Sequence, residues 1–158
     1  MKKRTKINWK VLIASFVAVY FSAFIGSLFT SGNVTSAWYE SIRQSITPPN
    51  WIFPVVWNVL FFLIALSLYI AWTNSSKKQK PKLAIFFGFN LMLNTLWSLI
   101  FFVLKNPAIA FFELIIFWVS IVSIIFITWK INRNSAWLLF PYLLWVSFAG
   151  ILNYLIAF

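Results

Sequence analysis

Five apolar runs of about twenty residues each leave this chain little choice of solvent. They fall at about 11–29, 52–72, 83–104, 108–129 and 135–158. An α-helix needs roughly 20 predominantly apolar residues to cross a ~30 Å hydrocarbon core. Lipid cannot satisfy backbone N–H and C=O groups, so runs of this length span the bilayer as helices. The expected fold is all-α: a polytopic five-transmembrane-helix bundle, with 1–158 forming a single membrane domain. Composition agrees, since 9% of the residues are charged and 62% hydrophobic, whereas soluble domains carry roughly 25% charged residues. The first run follows Lys2, Lys3, Arg4 and Lys6 as a signal peptide would. It exceeds the usual length of a signal-peptide core and is expected to be an uncleaved anchor.

The cations set the topology. Of thirteen Lys and Arg, five (Lys2, Lys3, Arg4, Lys6, Lys10) precede the first run. Four (Lys77, Lys78, Lys80, Lys82) lie between the second and third, and two (Lys130, Arg133) between the fourth and fifth. Only Arg43 and Lys105 fall in the alternate connections. Five crossings thus place eleven cations on one side and two on the other, and four or six crossings would spoil the pattern. The positive-inside rule predicts a multi-pass cell-membrane protein with a cytoplasmic N-terminus and Phe158 outside. The net charge of +11 then reflects topology and anionic lipid, with the bilayer as partner and no nucleic acid.

Turn-forming residues divide the spans. Asn106-Pro107 offers an N-cap and a first-position proline to the fourth helix. Thr47-Pro48-Pro49 blocks any helix from running into the second, while Pro54 fits that helix's first turn. The linker at 74–82 is polar, and Asn132–Asn134 predicts a tight turn. One connection is long: residues 30–50, carrying Gly32, Trp38, Tyr39, Glu40 and Arg43. In so small a membrane protein it is expected to form a lid-like loop.

With no His and no Cys, the usual zinc, copper and iron–sulfur ligand sets are missing. So are a Ser-His-Asp triad and a thiol nucleophile. The only acids, Glu40 and Glu113, lie in different segments, which argues against paired-carboxylate catalysis. No metal site and no required cofactor are expected. Glu113 is the one acid within a span, about one and a half turns from its outer end. It could relay protons, or simply reach the interface or pair with a nearby donor.

The ten tryptophans divide by depth. Trp9, Trp72, Trp129 and Trp137 fall at inner helix ends and Trp51 at an outer one, where aromatic belts form. Trp57, Trp97, Trp118 and Trp145 lie deeper, where an indole N–H needs a partner. Polar residues accompany them at helical spacing. Asn90, Asn94, Trp97, Ser98 and Phe101 share one face of the third helix. Trp51, Pro54, Asn58 and Phe62 share one of the second, and Tyr142, Trp145, Ala149 and Asn153 one of the fifth, beyond a Pro141 expected to bend that helix. Membrane-buried Asn must hydrogen-bond to protein or water. These residues either glue helices together or line an internal cavity, and their pairing with Trp on three helices favours the cavity. Ala14, Ala18, Ser22 and Gly26 form a small-residue face on the first helix, suited to close packing within the bundle or across a dimer. Ala84 and Gly88 repeat this in miniature on the third.

Three motifs resemble a known family. Pro48-Pro49-Asn50-Trp51-Ile52-Phe53-Pro54-Val55-Val56-Trp57 is similar to the signature opening the second helix of the translocator protein / tryptophan-rich sensory protein (TspO/MBR, peripheral benzodiazepine receptor) family. Asn90 to Phe102 resembles its third-helix motif, Pro141 to Asn153 its fifth-helix motif, and Trp38-Tyr39 its first-loop pair. The resemblance covers essentially the whole chain. It implies a five-helix membrane receptor or sensor, often a homodimer in bacterial members. Such proteins bind porphyrins of the protoporphyrin IX type, sterols, and synthetic benzodiazepine- or isoquinoline-type ligands beneath the first loop. By position, Trp51, Phe53, Asn90, Asn94, Trp97, Trp145 and Ala149 would line the pocket. Trp38 and Trp51 would be the tryptophans tied to light-dependent tetrapyrrole degradation. Two departures stand out: Arg43-Gln44 replaces a frequent Lys-Pro pair, and no Lys or Arg follows Tyr154 to complete the sterol-recognition pattern.

A porphyrin suits such a cavity. Its π-face would stack on Trp51, Trp97 and Trp145, Asn90 or Asn94 would donate to its polar edges, and Arg43 or Lys105 would meet its carboxylates. Without His or Cys to ligate iron, the metal-free form is expected. No acid–base pair or nucleophile is available, so any breakdown would use the pigment as photosensitiser. The alternatives are a small transporter of porphyrin or another amphiphile, and a structural subunit anchored by its tryptophans.

Overall fold

The computed structural model describes residues 7–158, so Lys2, Lys3, Arg4 and Lys6 lie outside the described residues. Helix α1 (Trp9–Thr30) starts where the Asn8 side chain accepts from the Val11 N–H. After a short turn, α2 (Ala37–Ile42) is capped by Ser36, whose Oγ accepts from the Tyr39 N–H. Helix α3 (Ile52–Asn74) follows the Pro48-Pro49 stop. Helix α4 (Lys80–Ser98) runs on into a π-helical turn at Leu99–Val103. Helix α5 (Pro107–Ile131) is capped by Asn106, as its sequence predicts. A short α6 (Arg133–Trp137) and α7 (Phe140–Ala157) complete the chain. No strand occurs among the described residues.

Five spans are long and apolar enough to cross a membrane: Trp9–Thr30, Ile52–Asn74, Lys80–Val103, Pro107–Ile131 and Arg133–Ala157. The expected count and order hold, with ends that differ by a few residues. Three local features differ more. The fifth span is divided at Leu138–Leu139 instead of being a bent continuous helix. Pro141 has no N–H to offer the Trp137 carbonyl, so the chain turns once and restarts with Pro141 in the first turn of α7. The expected lid carries a helix, α2. And α4 widens into its π turn, where the Leu104 N–H reaches back to the Leu99 carbonyl (3.0 Å) and the Asn106 N–H to that of Ile100 (3.2 Å). Lys105, at φ 50°, then turns the chain into α5.

The helices close a ring in the order α1, α4, α5, α7, α3, with α3 packed back on α1. Its two ends differ. At the cationic end, where Lys80, Lys82 and Arg133 sit, the interior is solid: Ile64, Ala65, Leu83, Phe87, Ile121 and Ile124 are buried. Ser67 and Ser135 exchange hydrogen bonds there, Oγ to Oγ at 2.9 Å and each Oγ to the other's carbonyl. Small residues let the helices approach. Gly26 packs on Thr95 and Ser98 of α4, and the Ser22 hydroxyl meets Thr95 Oγ1 at 3.0 Å. Half of the small face of α1 thus serves packing inside the bundle, whereas Ala14 and Ala18 point outward. At the opposite, loop end the helices diverge around a void.

Candidate functional site

The site is built from a polar floor upward. Asn90 and Asn94 lie one turn apart on α4, so their side chains share a face. Asn90 donates from Nδ2 to Ser120 Oγ at 2.7 Å and accepts at Oδ1 from the Tyr142 hydroxyl at 3.1 Å. Asn94 Nδ2 donates to the same Tyr142 oxygen at 3.4 Å. Ser120 Oγ donates in turn to the Phe117 carbonyl (2.7 Å). Three helices are tied together by this network, and its buried polar groups are satisfied without water.

Above the floor lies a cavity of about 570 Å³, within the range of small-molecule sites. Its walls are largely aromatic. Phe53, Trp57 and Phe61, at i, i+4 and i+8, form the inward stripe of α3; Trp97, Phe101 and Phe102 come from α4 and its π turn, and Trp145 from α7. The rings brace one another. Trp97 stacks on Phe101 (4.9 Å between centroids), Trp57 on Phe61 (5.3 Å), and Phe53 meets Trp145 edge-on (5.8 Å). The Trp97 indole N–H donates to Asn153 Oδ1 at 3.0 Å, and Asn153 Nδ2 donates to the Pro107 carbonyl at 2.8 Å. Trp97 and Asn153 on this wall are thus engaged within the protein.

The roof comes from the 30–50 connection. Asn50 Nδ2 donates to the Val34 carbonyl (3.2 Å), and Gln44 Nε2 reaches the Leu155 carbonyl on α7 (3.1 Å). Tyr39 packs on Phe102 (5.6 Å) and Phe101 (6.5 Å). Burial pushes the Tyr39 phenol above its usual range; Arg43 pulls it partly back and Glu40 adds to the rise. It remains an O–H at neutral pH. Two roof atoms, Thr47 Oγ1 and Asn50 Oδ1, are buried without a hydrogen-bond partner, and both residues line the void.

The cavity opens sideways. Its exposed wall residues are Tyr20, Phe24 and Ser27 of α1 with its C-cap Ser31, and Pro54 and Asn58 of the neighbouring α3. Those helices meet below, where the Tyr20 hydroxyl donates to the Asn58 carbonyl (3.4 Å) and Phe16 packs edge-on against Phe62.

A family model described as the TspO/MBR family matches residues 14–158. The chain belongs to the TspO/MBR family. It is 40% identical over 151 residues to the tryptophan-rich protein TspO of Archaeoglobus fulgidus, covering 95% of this chain and 97% of that one. Protein CrtK of Rhodobacter capsulatus is 34% identical (88% and 86% covered), and the translocator protein of Bos taurus 30% identical (83% and 79% covered).

The residues singled out by the TspO/MBR motifs fall into two groups. Phe53, Asn94, Trp97, Trp145 and Ala149 line the cavity. Asn90, Trp51, Trp38 and Arg43 do not. Asn90 is fully buried beneath the floor, with both ends of its amide engaged. Trp51 is 66% exposed, because the inward stripe of α3 is Phe53–Trp57–Phe61, displaced round the helix from Trp51–Pro54–Asn58–Phe62. Trp38 packs behind the wall, edge-on to Phe101 at 5.8 Å. Arg43 donates from Nη2 to the Pro48 carbonyl (2.9 Å) and pairs with Glu40 (3.6 Å), holding the roof in shape. Lys105 lies over the Trp38 ring at 5.9 Å. Thr47, Asn50 and Tyr39 are wall residues that spacing arguments missed, since they lie in a connection with no helical period. The one sequence signal near them is the Pro48-Pro49 pair, which fixes the backbone between Thr47 and Asn50.

Proposed function

We propose that this TspO/MBR protein is a membrane receptor for a flat aromatic amphiphile of the porphyrin class, held in the α1–α3–α4–α5–α7 cavity. The same site would take synthetic benzodiazepine- or isoquinoline-type ligands. The observation that carries this reading is an aromatic-walled void of about 570 Å³, roofed by a connection in which Thr47 Oγ1 and Asn50 Oδ1 are buried without a hydrogen-bond partner. A tetrapyrrole face packs against Trp97, Trp145 and Trp57. The Asn50 amide and the Thr47 and Tyr39 hydroxyls can hydrogen-bond to polar groups on the edge of a synthetic ligand. No cation lines the void, so a porphyrin's carboxylates extend through the opening toward the headgroups. With the cationic end cytoplasmic, as the Lys and Arg distribution favours, that opening faces the outer leaflet.

Binding is favoured over passage across the membrane. Below the floor, Val19, Ile64, Leu83, Phe87, Ile121 and Ile124 fill the interior with at most 1% exposure. Light-dependent porphyrin breakdown remains part of the proposal, with the pigment as photosensitiser and the wall tryptophans beside it.

The test is a protoporphyrin IX titration of purified protein, followed by quenching of tryptophan emission in darkness and then under illumination. Saturable quenching with about one ligand per chain is expected. Linear, unsaturable quenching would remove the receptor reading.

A further inference from the structure

Glu113 is the feature of this molecule that the cavity reading leaves unused. It lies six residues into α5, about 9 Å along the axis from the loop end. Its side chain is 7% exposed, and neither carboxyl oxygen has a hydrogen-bond partner. It therefore neither reaches the interface nor pairs with a donor. An ionised carboxylate buried in a membrane bundle with no donor and no counter-ion carries a desolvation cost that nothing here offsets. Its two options are a bound cation and a bound proton.

The surroundings decide between them. The π turn and the adjoining half of α4 present no charged or titratable side chain to α5. Lys80 and Lys82 of α4, Arg133 of α6 and Tyr69 of α3 all lie at the cationic end, as does Lys130 of α5 itself. Lys105, just before α5, is drawn over Trp38. On α7, Tyr154 packs against Phe111 and Phe158, and the Tyr142 hydroxyl is engaged by Asn90 and Asn94. A metal or ammonium ion would also need several oxygen ligands, and no group of acidic side chains occurs among the described residues. A proton needs one.

We propose that Glu113 is a proton-binding site within the membrane, filled in the resting protein and linked to occupancy of the cavity. The link is geometric. Leu114 and Phe117, the next residue and the one a turn on, line the void, and Tyr142 bonds to Asn94 in the cavity floor. A filled cavity excludes water from this side of α5 and so holds the proton more tightly. The same acid is the site at which a lipid-soluble carbodiimide modifies the chain. The carboxyl O–H proton moves to one carbodiimide nitrogen while the carboxyl oxygen bonds to the central carbon. Acyl migration to nitrogen then leaves a stable N-acylurea that retains the whole reagent.

The chain has only two acids, which makes the experiment clean. Infrared difference spectra of wild type against Glu113→Gln in lipid should show a carboxylic-acid C=O stretch at neutral pH, shifted in D2O and lost in the variant. A carboxylate band in its place overturns the proposal. Dicyclohexylcarbodiimide should label the Glu113 peptide in wild type and in Glu40→Gln but not in Glu113→Gln; an acid band without an adduct overturns the modification site. Neither measurement needs the cavity's ligand, so their failure is distinct from failure of the receptor reading, on which the link rests. For the link, the pH midpoint of the acid band should move upward with saturating protoporphyrin IX, and an unmoved midpoint overturns it.

Discussion

Asn90 and Asn94 are chemically identical and one turn apart, yet only one of them touches the cavity. Asn90 offers both ends of its amide to Ser120 and Tyr142, so Asn90→Ala leaves the buried Tyr142 O–H without its acceptor and Ser120 Oγ without its donor. A cost of about 1–2 kcal/mol is expected, read as a lower thermal midpoint in detergent, with porphyrin affinity changed less than twofold. Asn94→Ala should show the reverse weighting, weaker binding with a small stability loss, because its side chain faces the void. The tryptophans divide in the same way. Removing a stacked ring costs on the order of 1 kcal/mol, so Trp145→Ala should weaken porphyrin binding by about fivefold while Trp51→Ala leaves it unchanged. Under illumination, Trp38→Phe should slow porphyrin loss more than Trp51→Phe. Trp38 reaches the cavity through Phe101 and Trp97, whereas Trp51 makes no ring contact. Equal rates in the two variants would count against that route.

At the level of elements, hydropathy exposed what depends on solvent, and spacing exposed what depends on period. The five spans and the Asn106-Pro107 cap were legible because lipid admits one backbone form and capping is local chemistry. The π turn at Leu99–Val103 was not, since the same five residues suit an ordinary α-helix and the segment packs against both α1 and α5. Pro141 was legible as a disturbance, but whether a helix bends or restarts depends on what receives the freed carbonyl. Of the expected stripe on α3, Pro54 and Asn58 line the cavity at its opening, while Phe53, Trp57 and Phe61, one position round the helix, form the deeper wall. Glycines repeat the lesson. Gly26 and Gly150 both sit at helix contacts, but a Cβ on Gly26 finds its nearest atom at 3.9 Å, while one on Gly150 meets Leu114 Cδ2 at 3.1 Å. Gly26→Ala should therefore raise the thermal midpoint, by the equivalent of about 0.5–1 kcal/mol of helix preference. Gly150→Val should lower it by about 1–3 kcal/mol of overpacking, and should weaken ligand binding as Leu114 is pushed into the cavity.

For the whole molecule, the packed cationic half and the hollow loop half pose a question of access. A ligand can arrive from water beneath the 30–50 connection or from lipid between α1 and α3. The roof is tied down at Val34, Pro48 and Leu155 by side chain–backbone hydrogen bonds, and Tyr39 is wedged against two phenylalanines. The α1–α3 side has no such closure beyond Tyr20 and Asn58, and its wall residues are the exposed ones. A hydrophobic pigment already dissolved in the bilayer needs only the lateral route. The chain contains no cysteine, so paired replacements test this directly. Joining Phe24→Cys to Pro54→Cys with a reducible bifunctional maleimide should slow protoporphyrin association at least tenfold in vesicles, with recovery on reduction. Joining Gln44→Cys to Leu155→Cys, which locks the roof to α7, should leave the rate within twofold. The opposite pattern would make the connection a gate and the α1–α3 gap a closed seam. Recovery on reduction separates a blocked path from a damaged wall, because the substituted side chains are the same before and after the linker is cut.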